Sequence, residues 1–197
     1  MTPEQQSTLN EKRKLLQQQL QFKEFFSQYI APFSEVLESL NLLKINYQVV
    51  LARCIPKEYQ HLLIEQFNLG EFKKYNLSEI EITSEDEILE RLFKIFPNKH
   101  ALRYLPDFES IKIDFDCPKT ILNNIIHSEH LTEQQVYLCY LGFGFVLQID
   151  FQDLSDKVSD DIFNTWHGDT VIFPKNQEWL IAYSLENEWR FGRKSNQ

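Results

Sequence analysis

The sequence predicts an α+β fold: a single domain with a mainly antiparallel sheet, flanking helices and an N-terminal helical arm. Three observations predict it. Residues 169–192 hold three short β-type runs separated by turn residues, the pattern of a C-terminal three-stranded meander. Residues 136–151, VYLCYLGFGFVLQIDF, carry apolar side chains at a two-residue period. Residues 4–44 instead repeat apolar side chains at three-, four- and seven-residue steps, the period of helix. At 197 residues, 43% hydrophobic and 25% charged, the chain can bury one substantial core. The expected division is an arm over residues 1–44 and an α+β domain over 45–197.

In the arm, Leu9, Leu16 and Leu20, with Leu15, Phe22, Phe26 and Tyr29, make one broad apolar face. Pro32 has no amide hydrogen to donate, so it divides a long first helix from a shorter second one bearing Val36, Leu37 and Leu40. The arm is expected to pack against the domain.

Asn46–Cys54, NYQVVLARC, is apolar on both faces, which predicts a central strand. Pro56 opens a helix over KEYQHLLIEQF that ends at Asn68-Leu69-Gly70. Ser84-Glu85-Asp86-Glu87 is a capping box, and its helix runs to Phe96 before Pro97. Ile111, Ile113 and Phe115 alternate with Lys112, Asp114 and Asp116, as in a half-buried strand. Pro118 opens a further helix with Ile121, Leu122, Ile125 and Ile126 on one face.

Residues 136–151 read as one long strand, because every odd position from Tyr137 to Phe151 is apolar. Gly142 and Gly144 fall on its even face and leave a shallow groove there, or mark a bulge. A short helix over 133–140, capped by Thr132 and Gln135, is the competing reading. Ser155–Trp166 then reads as a helix with Val158, Ile162, Phe163 and Trp166 inward and Gly168 closing it. The meander strands are Asp169–Phe173, Glu178–Ser184 and Glu188–Gly192. Tryptophan is usually largely buried, so Trp166 and Trp179 are expected in the core. Trp189, near the C-terminus, is the one expected to be exposed and available to a partner.

The net charge of −9 is unevenly spread. Residues 1–60 hold 7 Lys/Arg against 6 Asp/Glu, a net of +1, and residues 61–197 hold 13 against 23, a net of −10. An acidic domain repels nucleic acid and anionic lipid and attracts a basic partner, although solubility alone also favours acidity. No run approaches the ~18 apolar residues of a membrane span, and the polar N-terminus lacks the apolar core of a signal peptide. A cytoplasmic protein is expected. Cys54, Cys117 and Cys139 are odd in number and widely spaced, which suggests buried reduced thiols.

The sequence carries few signatures of catalytic chemistry. No phosphate-loop, dinucleotide, zincin, serine-elbow or Cys-x-x-Cys motif occurs. His127 and His130 lack further ligands for zinc, so two surface histidines are the better reading. Asp107, Glu109 and Lys112 have the wrong spacing for a nuclease, and Asp114 and Asp116 alternate as a solvated strand face would. Cys139 beside His130 or His167 could be a nucleophile and base, but its apolar setting favours an inert thiol. No metal, cofactor or catalytic residue is expected. What remains is acidity: Asp150, Asp153, Asp156, Asp160, Asp161 and Asp169 against Lys157 alone, with Asp156 and Asp160 spaced to share a helix face. Glu85, Asp86, Glu87 and Glu90 form a second acidic helix start. Complementing a helix dipole, at about 0.3–1 kcal/mol per residue, accounts for part of this.

The order VYLCYLGFGFVLQIDF, SDDIFNTWHG, DTVIFPKNQEWLIAYSLENEWRFG resembles the C-terminal part of small bacterial immunity proteins of polymorphic-toxin and contact-dependent inhibition systems. It covers about 60 of the 197 residues, and its motif is structural. The resemblance implies a non-enzymatic cytosolic inhibitor that binds a cognate toxin domain, often a basic nuclease. It carries over no contact residues. On charge, Asp153, Asp156, Asp160 and Asp161, with Trp189, are the candidate partner-binding residues. The rival readings are an enzyme with a carboxylate site near Asp114, Asp116 or the Gly142/Gly144 groove, and an adaptor docking through its N-terminal helix.

Overall fold

The computed structural model describes residues 3–25, 31–52, 87–97, 111–113, 116–142, 145–163, 169–184 and 186–194. Its elements run α1 (Pro3–Phe25), α2 (Ala31–Leu42), β1 (Tyr47–Ala52), α3 (Glu87–Ile95), β2 (Ile111–Ile113), α4 (Pro118–Glu129), β3 (Gln135–Tyr140), β4 (Phe145–Asp150) and α5 (Phe151–Lys157). A 3-10 turn (Asp160–Phe163) leads to β5 (Thr170–Pro174), β6 (Trp179–Tyr183) and β7 (Trp189–Arg193). The fold is α+β.

The seven described strands form one sheet in the order β1-β4-β3-β5-β6-β7-β2, every pair antiparallel. The meander β5–β6–β7 falls within a residue or two of its predicted bounds. Both sheet faces are buried. One face presents Leu138, Tyr140, Leu147, Ile149, Trp179 and Phe191 to α2, α4, α5 and the 3-10 turn. The other presents Cys139, Val146, Val171, Phe173 and Leu180 to Leu89 and Leu92 of α3 and to Phe96 just after it. Each such side chain contributes roughly 1.5–3 kcal/mol when fully buried.

Double burial corrects the reading of residues 136–151. They are not one strand but a hairpin, in which Leu138 pairs with Leu147 and Cys139 with Val146. Directly paired residues share a face, so even positions of β3 lie with odd positions of β4. The apparent unbroken period arose because both faces are apolar. Gly142 lies in the turn, with open space where a Cβ would go, so it lines no groove on a strand face. Gly144 is outside the described residues.

Three further expectations change. β1 ends the described sheet and is not central; it pairs with β4 through a bulge between Val49 and Leu51. The helix expected over Ser155–Trp166 starts earlier and breaks. Asp150 ends β4 and caps α5, its carboxylate accepting from the Asp153 amide at 2.9 Å. Val158 then adopts extended backbone (ψ 142°), and the chain re-enters as the 3-10 turn. Cys117 is exposed beside the first turn of α4, while Cys139 is a buried thiol as expected.

The helical arm divides in its packing. α2 buries Val36, Leu37 and Leu40 in the main core. The leucines of α1 are exposed: Leu9 39%, Leu15 51%, Leu16 58% and Leu20 59%. The predicted helix after Pro56, Cys54, the Ser84 cap, Asp107, Glu109, Asp114, Trp166, His167 and Gly168 lie outside the described residues. No described helix is long and apolar enough to cross a membrane.

Candidate functional site

The acidic run is mounted on α5 and the 3-10 turn, which share a buried underside. Phe151 and Leu154 anchor α5, and Ile162 and Phe163 anchor the turn. The Tyr140 hydroxyl, at the end of β3, donates to the Ile162 carbonyl at 2.9 Å and ties the turn to the sheet. Burial pushes the Tyr140 phenol well above its ordinary pKa, with the neighbouring Cys139 thiol adding to the rise, so it stays a donor.

The four predicted carboxylates are not equivalent. Asp156 is exposed and accepts from the Gln152 side-chain amide at 3.0 Å. Asp160 and Asp161 are exposed on the turn. Asp153 is partly buried and bound to Lys157 at 2.6 Å, and the same ammonium donates to the Lys44 carbonyl at 3.2 Å. The break at Val158 puts Asp156 and Asp160 on different elements, so they do not share the helix face that their spacing implied. Three carboxylates are therefore exposed to solvent, and the fourth is paired with Lys157, whose ammonium ties α5 to the chain just after α2.

Trp189 requires correction. It is 1% exposed, with its ring 4.7 Å from Phe163 and 5.0 Å from Tyr183 between centroids. The sequence placed it near the C-terminus, but β7 is covered on that face by the 3-10 turn and flanked by β6 and β2. Trp179 is buried as expected, packed on Phe151 at 5.4 Å, and its indole N–H donates to Glu133 at 2.9 Å. The described tryptophans are core side chains and not a binding platform.

Tyr183 joins this cluster to the acidic turn. Desolvation raises its phenol pKa, and the negative charge of Asp160 raises it further. The hydroxyl lies in hydrogen-bonding contact with the Asn187 side chain. Neither this link nor the Tyr140 hydrogen bond was foreseen, since both tyrosines sit in runs that look purely apolar.

Elsewhere, His127 and His130 are exposed, and His130 serves as the left-handed C-cap of α4 (φ 53°). Asp116 accepts from the Cys117 amide at 2.6 Å. In the second acidic helix start, Glu90 is exposed on α3. Among the described residues, no group of three or more His, Cys, Asp or Glu is placed to hold a metal ion. The exposed carboxylates can attract cationic side chains, and they are seated on a packed support. No family model, curated protein or solved structure matches this chain.

Proposed function

We propose that the protein is a non-enzymatic, antitoxin-type immunity protein that binds a basic toxin domain in the cytoplasm through its α5–turn acidic edge. One observation carries this reading: Asp156, Asp160 and Asp161 are exposed on consecutive elements whose undersides are fully packed. A rigid row of carboxylates can occupy a basic cleft in place of an anionic substrate, with little ordering cost on binding. Asp153 pairs within α5 with Lys157, whose ammonium also donates to the Lys44 carbonyl and so ties the helix that carries the row. The resemblance of the C-terminal third to immunity proteins supplies the partner class.

The test is co-purification with toxin domains encoded beside this chain's gene, followed by association kinetics. Reversing Asp156 and Asp160 to Lys should leave the melting temperature nearly unchanged, because both side chains are exposed. It should slow association and flatten its dependence on ionic strength. A double reversal that associates as fast as the native protein at low salt would remove this edge from the binding surface.

A further inference from the structure

We draw no further inference here: the strongest candidate, the stripe of exposed leucines Leu9, Leu16 and Leu20 along α1, is an apolar helix face on the surface, and nothing in the structure shows what covers it.

Discussion

The Tyr140 hydroxyl donates a 2.9 Å hydrogen bond to the carbonyl oxygen of Ile162, linking the end of β3 to the turn that carries Asp160 and Asp161. The bond is buried, so its loss leaves a carbonyl with no donor. Tyr140→Phe should therefore cost about 1–3 kcal/mol in urea denaturation. If the turn is the binding edge, partner affinity should fall with it. A variant as stable as the native protein would mean that another donor reaches Ile162.

Alkaline pH should act through the same tyrosines. Burial raises the folded-state pKa of Tyr140 and Tyr183 above that of an unfolded phenol. Their contribution to stability is then complete below about pH 10 and is lost as pH rises, because unfolded tyrosines ionise first. Urea midpoints should fall with rising pH above that point, and less steeply in Tyr140→Phe. Asp160→Asn should let Tyr183 ionise at lower pH, visible as tyrosinate absorbance, because a repelling negative charge is gone.

Trp189→Ala should destabilise the fold by about 3–5 kcal/mol, the range for truncating a large buried side chain. The indole contacts Phe163 and Tyr183, so the loss reaches the acidic turn through packing. Any binding defect should track melting. A variant that melts like the native protein yet fails to bind would make Trp189 a contact residue.

Asp150→Ala removes the N-cap of α5 and should cost about 0.5–2 kcal/mol. Asp150→Asn, which keeps a side-chain acceptor, should recover most of this. Equal losses in both would show that the Asp150 charge matters more than its acceptor geometry.

Much of the fold is legible in the sequence where one physical signal acts alone. Pro118 opens α4, Pro97 follows α3, and turn residues separate β5, β6 and β7. Legibility fails where two signals overlap. In residues 136–151 both faces are apolar, so alternation could not reveal the turn near Gly142. Asp150 looked like the solvent side of a strand because its capping role depends on the chain leaving the sheet there. The acidity of the candidate site was readable from composition. The commitment of Asp153 to Lys157 and the burial of Trp189 were not, because each depends on what folds over it.

The double burial of β3 also bears on how the chain finds its native pairing. In most sheets a one-residue slip throws apolar side chains into water and is rejected at once. Here a slipped β3 would still present Cys139 or Leu138, Tyr137 or Val136, to an apolar layer. Hydrophobicity barely distinguishes right from wrong, and the few polar landmarks must do so. A shift would swing the Tyr140 hydroxyl away from Ile162 and draw Gln135 from its place opposite Asp150. Slow refolding through misaligned hairpins, worsened in Tyr140→Phe beyond its equilibrium cost, is the kinetic signature to expect.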